Sequence, residues 1–315
     1  MGRPLIVVSD GFDKSLFEQL KKMSELEVHP ESKLSREQLM ELLPRMEGLI
    51  VRSATKVDPA LLDKAEKLKL VIRAGEGVDN IDVKYSNKKG VKVANTPGAN
   101  SNSAAEHAIS LMFTVLRKTA WAHASMLRGE WEKTKFNGNE MAGKTVGFVG
   151  FGRIGQIVAR RLSGFEIKVL FSDPVIKSSD IPYAKPASIE DVFKLSDIVT
   201  IHTPLMDSTR NMITEKYLRL MKKSAILINA ARGGIVNEDD AYICLKEGMI
   251  RGGGFDVFAS EPLQKDSKLL GLENIVLTPH LGASTDEAQF RVGEMAVNQI
   301  REFFVNNKLL NEVKA

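Results

Sequence analysis

The stretch TVGFVGFGRIGQIVARRL (residues 145–162) decides the fold. Its first five residues are apolar or β-branched and read as a short buried strand. Gly150, Gly152 and Gly155 follow at G-x-G-x-x-G spacing, and an amphipathic helical pattern begins at once. The glycine spacing alone is a weak signal, but between a strand and a helix it builds a phosphate-binding turn. Gly150 makes the tight turn, Gly152 lets the backbone approach a pyrophosphate, and Gly155 lets helix and strand pack closely. The amides of Arg153 and Ile154 then face the anion from a helix N-terminus. The next strand ends in FSDP, which places Asp173 23 residues past Gly150. A carboxylate near ~20 residues on accepts hydrogen bonds from an adenosine ribose and repels a 2′-phosphate, so the pattern favours NAD over NADP.

The same rhythm of short strands and helical patterns extends in both directions, which argues for parallel sheets built of βα units. Upstream, strands are expected at 4–8, 26–29, 48–51, 70–72 and 91–95. Helices are expected at 13–23 and 35–43, the second opened by a Ser35–Gln38 capping box. A single long helix is expected over about 103–127. It is apolar almost all round, which implies burial between domains or against a second subunit. Downstream, strands are expected at 145–149, 167–171, 197–201, 225–229, 253–257 and 274–278, and a last helix at about 286–305 behind Ser284 and Glu287. The expected fold is therefore α/β with two doubly wound parallel-sheet domains.

Bulk properties narrow the function. A length of 315 residues suits about two domains, and 43% hydrophobic with 27% charged residues is ordinary globular composition. The net charge of +4 comes from scattered Lys and Arg, so there is no nucleic-acid-binding stripe. The one cysteine, Cys244, cannot form an intrachain disulfide, which favours a reducing, cytoplasmic setting. No Cys/His cluster suggests a metal, and no apolar window is long enough to span a bilayer.

In open α/β sheets, ligands bind beyond the carboxyl ends of the strands. In the second series those ends carry the glycine loop, Asp173, then His202, Thr203 and Pro204, then Ala230, Ala231 and Arg232, then Asp256 with Glu261, and finally His280 with Gly282 nearby. The chemistry that suits them is specific. Hydride transfer from an alcohol needs a base on the hydroxyl, and histidine serves near neutral pH. His280 is the candidate, Glu261 the carboxylate that would steady its ring, and Arg232 the guanidinium that would grip a substrate carboxylate. Asp256 is expected to accept from the nicotinamide carboxamide. Each has a plainer alternative: Glu261 and Asp256 as loop caps, Arg232 in an ion pair with Glu238, His202 as a structural residue. The first series ends its strands with Asp10, His29, Arg52 with Ser53, Arg73 and Asn95, and two arginines on one edge suggest a second anionic handle on the substrate.

The segments VRSATKVD (51–58), RAGEGVDNID (73–82), NTPGANSNSAAEHA (95–108), GFGRIG (150–155), NAARGGIVNEDD (229–240), DVFASEP (256–262) and TPHLGAST (278–285) together resemble the D-isomer-specific 2-hydroxyacid dehydrogenases over nearly the whole chain. The resemblance implies an Arg–Glu–His catalytic set at Arg232, Glu261 and His280. It implies substrate contacts from Arg52, Ser53, Gly75 and Asn100, and it makes Arg73 the mark of a phosphorylated substrate. Lys133 resembles a residue that reaches a neighbouring subunit's site, with a homodimer (or tetramer) joined through 103–144. The implied architecture is a Rossmann NAD-binding domain (98–287) inserted in a flavodoxin-like substrate, or lid, domain (1–97 with 288–315). Many relatives carry a further C-terminal regulatory domain; this chain stops soon after NNKLLNEV, so feedback through such a domain is not expected. The implied reaction is oxidation of 3-phospho-D-glycerate to 3-phosphohydroxypyruvate, the first step toward serine. The rival readings are a glyoxylate or hydroxypyruvate reductase and, in another class, a non-catalytic NAD-sensing corepressor-like protein.

Overall fold

The structure is a computed structural model that describes residues 2–314. The chain divides into two compact units, one made of the residues up to Asn100 with those from Ser284 onward, the other Ser101–Ala283. The sequence places the two crossings at 97/98 and 287/288.

The first unit contains β1 (Leu5–Val8), α1 (Lys14–Lys21), β2 (Glu27–Ser32), α2 (Arg36–Leu42), β3 (Met46–Val51), α3 (Pro59–Lys64), β4 (Leu70–Arg73), α4 (Val83–Lys88) and β5 (Lys92–Asn95). Its sheet is parallel in the order β2-β1-β3-β4-β5, the flavodoxin-like order. Successive side chains of a strand point to opposite faces, so β1 supplies two cores. Leu5 and Val7 pack with Leu39, Leu49 and Val71, whereas Ile6 and Val8 pack with Leu20, Ile50, Ile72 and Ile300. Each such fully buried side chain stabilises the fold by roughly 1.5–3 kcal/mol. The Ser35–Gln38 capping box is present at the start of α2.

The second unit contains α5 (Ser101–Arg117), α6 (Thr119–Leu127), β6 (Thr145–Val149), α7 (Arg153–Arg161), β7 (Lys168–Ser172), β8 (Ala184–Pro186), α8 (Ile189–Leu195), β9 (Ile198–Ile201), α9 (Glu215–Leu218), β10 (Ile226–Asn229), α10 (Glu238–Lys246), β11 (Gly252–Phe255) and β12 (Ile275–Leu277). After it, α11 (Asp286–Phe304) returns to the first unit and lays Ala296 and Ile300 on the β1/β3/β4 face. The second sheet is parallel in the order β12-β11-β10-β9-β6-β7-β8, so strand order reverses between β6 and β9. That reversal is the switch point where open α/β sheets bind ligands.

Three expectations need correction. The single helix over 103–127 is two helices, because Lys118 adopts a left-handed φ of 54° that ends α5 before α6 begins. α5 buries its apolar residues over β10, β11 and β12. By contrast α6 buries Ser125 alone and leaves Met126 and Leu127 exposed. The cap of α11 is Thr285, whose hydroxyl oxygen accepts from Ala288 N, one residue later than the Ser284–Glu287 pair. β8 is a short additional edge strand that the sequence did not announce. Among the described residues no helix is long and apolar enough to cross a membrane.

Candidate active site

Strand register levels the candidate residues of the second unit. Val149 pairs with Ile201, Ile201 with Asn229, Asn229 with Phe255, and Phe255 with Leu277. The next residues, Gly150, His202, Ala230, Asp256 and Thr278, therefore leave the sheet along one carboxyl edge.

The glycine turn has the form a dinucleotide needs. Gly150 has φ +86°, and a Cβ there would lie 2.6 Å from the His202 carbonyl oxygen, so only glycine fits. A Cβ on Gly152 would meet nothing within 4 Å, which leaves open space beside the backbone. Gly155 is buried 3.0 Å from the Gly150 carbonyl oxygen, measured from where its Cβ would stand. α7 begins at Arg153 with no side-chain cap, so its first N–H groups, including those of Arg153 and Ile154, face outward. These features fit a pyrophosphate. Asp173 organises the same turn: Oδ2 accepts from Phe151 N (2.7 Å), and Oδ1 accepts from Val175 N (2.8 Å) and Ile176 N (2.9 Å). Burial raises its carboxyl, but these amide bonds and Lys177 outweigh that and hold it below the usual carboxylate range.

His202 stacks on Phe148 with ring centroids 5.7 Å apart, and its Nε2 lies 2.9 Å from Thr200 Oγ1. Burial pushes its ring down to about 4, so the ring is neutral near pH 7. Thr203 and Pro204 continue that loop, and Thr209 Oγ1 donates to the Pro204 carbonyl (2.7 Å).

The loops after β10 and β11 interlock. Buried Asn229 accepts from Ala231 N (3.2 Å) and donates to the Arg232 carbonyl (3.1 Å), which folds Ala230–Arg232 over the strand end. A Cβ on Gly233 would collide with the Phe258 carbonyl oxygen at 1.8 Å, so the two main chains touch one residue beyond Arg232. Arg232 Nη1 donates to the Ala231 carbonyl (2.8 Å). Glu238, its expected alternative partner, accepts instead from Ala259 N.

Glu261 and His280 meet. Glu261 Oε1 accepts from Phe258 N (3.1 Å), and Oε2 lies 2.6 Å from His280 Nδ1. Burial raises the Glu261 carboxyl; the bonds from His280 and Phe258 more than offset this and keep it charged. With Nδ1 engaged, Nε2 of His280 makes no hydrogen bond among the described residues. The ring is 46% exposed, and the backbone holds a left-handed φ of 55°, uncommon for a residue with a Cβ.

Asp256 is the knot beneath this pair. It is fully buried and serves mainly as a turn cap: Oδ1 accepts from Thr278 Oγ1 (2.6 Å) and Leu281 N (2.7 Å), and His107 Nε2 lies 3.0 Å from it. Its Oδ2 accepts from Gly282 N (2.9 Å), which leaves that oxygen one further acceptor position. His107, Thr278 and Asn229 were not singled out from the sequence. Thr278 lies two residues before His280, whereas His107 is a half-buried residue of an apolar helix far away in the chain.

In the first unit, the register Val51↔Arg73 sets Arg52 and Arg73 at the ends of adjacent strands β3 and β4. Asp10 fixes the Arg52 loop, accepting from Arg52 N (2.5 Å) and Thr55 Oγ1 (2.6 Å), while Asn80 Nδ2 donates to the carbonyls of Arg52 and Thr55 (both 2.7 Å). Burial lowers the affinity of the Arg52 guanidinium for its proton, and Asp10 partly restores it. Ser53 is exposed on that loop. The Arg73 guanidinium lies over Gly75, with Nη1 1.1 Å from where a Cβ would stand, so residue 75 must be glycine for Arg73 to lie there. Asn100 Oδ1 is buried without a hydrogen-bond partner. Lys133 is exposed at the start of a 3-10 turn, Lys133–Phe136, in the second unit.

A phosphate turn at a switch point, beside a His–Glu pair on the same sheet edge, defines an NAD-dependent oxidoreductase. The profile of the D-isomer specific 2-hydroxyacid dehydrogenase NAD-binding domain matches residues 109–282. The chain is 42% identical to hydroxypyruvate reductase of Thermotoga maritima, over 95% of this chain and 98% of that protein. It is also 42% identical to D-3-phosphoglycerate dehydrogenase of Methanocaldococcus jannaschii, over 94% of this chain but 57% of that protein. Among solved structures it is similar to a glyoxylate reductase from Paecilomyes thermophila, with a TM-score of 0.88, 27% identity and 99% of each chain covered. The chain belongs to the D-isomer-specific 2-hydroxyacid dehydrogenase family, and it is an NAD-dependent enzyme acting on a 2-hydroxy or 2-oxo acid.

Proposed function

We propose that the enzyme oxidises 3-phospho-D-glycerate to 3-phosphohydroxypyruvate. The observation that carries the choice of a phosphorylated substrate is the pairing of Arg52 and Arg73 at adjacent strand ends, two cations where one suffices for a lone carboxylate. The turn at Gly150–Gly155 and Asp173 would hold NAD, which when bound would supply the acceptor for the hydride leaving C2. His280 takes the hydroxyl proton on Nε2, the nitrogen left open by the bond between Nδ1 and Glu261. The charged Glu261 stabilises the imidazolium so formed, and Arg232 orients the substrate carboxylate. Under this reading Ser53, Gly75 and Asn100 contribute to substrate binding.

A second reading, reduction of hydroxypyruvate, is favoured by the relative of that name matched over almost its full length. The chain spans only about 57% of the phosphoglycerate dehydrogenase relative. NADH consumption with phosphohydroxypyruvate, hydroxypyruvate and glyoxylate in parallel decides between them. A kcat/KM at least tenfold higher for the phosphorylated acid supports the proposal; equal or lower values transfer the assignment to hydroxypyruvate. His280→Ala tests the chemistry, with turnover abolished and NADH affinity kept.

We also propose a homodimer. Its support is the exposed apolar run Met126 (53%), Leu127 (75%) and Trp131 (80%), in the segment that carries Lys133. Light scattering checks it, and a monomer at micromolar concentration overturns it.

A further inference from the structure

His107 is unusual among the residues of α5. Beyond its first turn the buried residues of the helix are apolar, yet here a ring reaches the end of β11 with 17% of its side chain exposed. Its Nε2 lies 3.0 Å from Asp256 Oδ1 and 3.1 Å from Thr278 Oγ1. The direction of these bonds follows from chemistry. An ionised carboxylate only accepts, so the Thr278 hydroxyl spends its proton on Asp256. Nε2 faces two oxygens with no spare proton between them and must carry one itself. His107 therefore points an N–H at the Thr278–Asp256 pair, donating to Thr278 Oγ1 with Asp256 Oδ1 3.0 Å away.

Asp256 relays this bond to the reacting end of the site. Its carboxylate holds Leu281 N and Gly282 N, and its own carbonyl accepts from His280 N (2.8 Å). These three bonds grip the main chain on His280 and on the two residues after it. They keep His280 in its left-handed conformation, which a residue with a Cβ seldom holds unsupported. Asp256 is wholly buried, so each donor to it matters more than it would in water.

We propose that His107 is a positioning residue for the reaction, holding the turn that presents His280 by acting through Asp256 rather than on the substrate. The proposal rests on the reading of His280 as the acid–base group. No local sequence signal links positions 107 and 280.

The test uses the full-length enzyme with NADH and hydroxypyruvate or phosphohydroxypyruvate, whichever turns over. His107→Leu is expected to lower kcat about tenfold to a hundredfold with KM for the oxo acid within twofold. His107→Gln, which offers an N–H near the position of Nε2, is expected to restore most of kcat. In an Asp256→Asn background, His107→Leu is expected to add little, because the relay is already broken. A readout free of turnover comes from ring ¹⁵N shifts of His280 in the apoenzyme, which are expected to move in His107→Leu and to return in His107→Gln. If His107→Leu does not fold, the glutamine variant and its ¹⁵N shifts carry the test. Unchanged kcat in His107→Leu, effects that simply add to those of Asp256→Asn, or His280 shifts identical to wild type in both variants overturn the proposal. His280→Ala run in parallel separates the two failures: if it retains turnover, the acid–base reading itself falls; if it is dead while the His107 variants are normal, only the relay falls.

Discussion

Gly150 and His202 occupy one another's space: the histidine carbonyl oxygen stands 2.6 Å from where a Gly150 side chain would begin, at the point where the strand order of the second sheet reverses. Gly152, two residues on, has no neighbour there at all. The two glycines are thus required for different reasons, and substitution separates them. Gly150→Ala, at φ +86°, is expected to destabilise the fold by about 1–3 kcal/mol in urea. Gly152→Ala is expected to leave the urea midpoint in place while weakening NADH binding at least tenfold in a fluorescence titration. Normal NADH affinity in Gly152→Ala removes the phosphate turn from that position.

The Glu261–His280 bond of 2.6 Å predicts a loss of rate without a loss of fold when the charge alone is removed. Glu261→Gln keeps the shape but withdraws the carboxylate that stabilises the imidazolium. Its kcat is expected to fall on the order of 10²- to 10⁴-fold, with NADH affinity within threefold. Steady-state kinetics checks this, and a kcat within twofold of wild type refutes the pairing as catalytic.

Asp173 carries two duties, so its replacement has two expected results. Asp173→Ser removes the negative charge facing a ribose 2′-phosphate, and the NADP-to-NAD ratio of kcat/KM is expected to rise at least tenfold. The same change leaves the amides of Phe151, Val175 and Ile176 without their acceptor, and stability is expected to drop by about 1–3 kcal/mol. A ratio unchanged from wild type assigns Asp173 to the turn alone.

His202 makes stability depend on pH in a definite direction. Its ring is held at about 4 in the fold against 6.5 in the unfolded chain. Between those values the unfolded state binds a proton that the folded state does not, so stability falls as pH drops from 6.5 towards 4 and levels off below. Above pH 6.5 the residue contributes no slope. Urea midpoints of wild type and His202→Gln, compared from pH 7.5 to 4.5, check this: the difference between them is expected to narrow or reverse in favour of the variant as pH falls. A difference constant over the range contradicts the burial of a neutral ring.

Much of this was legible from residues close together in the chain. GFGRIG encodes its own backbone turn, and TPHLG announces the end of a strand with a proline before the histidine. Arg232, Glu261 and His280 could be named because each follows a recognisable strand, and parallel strands share one carboxyl edge. What escaped notice was of two kinds. The break at Lys118 lies within RKTA, with no glycine or proline to mark it, and the apolar pattern runs through it unchanged. β8 is three residues at a sheet edge, AKP, too short and too polar to show alternation. His107 escaped for a different reason, since its meaning depends on Asp256, a residue brought to it only by packing.

β11, which leads into Asp256, begins with three glycines, and two of them, Gly252 and Gly254, face α5, so the helix rests there on main chain where other strands would hold it off with side chains. A methyl group on Gly254 would stand 3.3 Å from Leu111 Cβ, and one on Gly252 only 2.7 Å from the Asn274 carbonyl oxygen. That thin spacing is what allows a helix residue to reach past the sheet's edge. It also makes the reach of His107 hostage to drift at these bare positions: any side chain acquired there wedges helix from strand, so an innocuous-looking glycine replacement some distance from the nicotinamide can slacken the chemistry without altering a single reacting group.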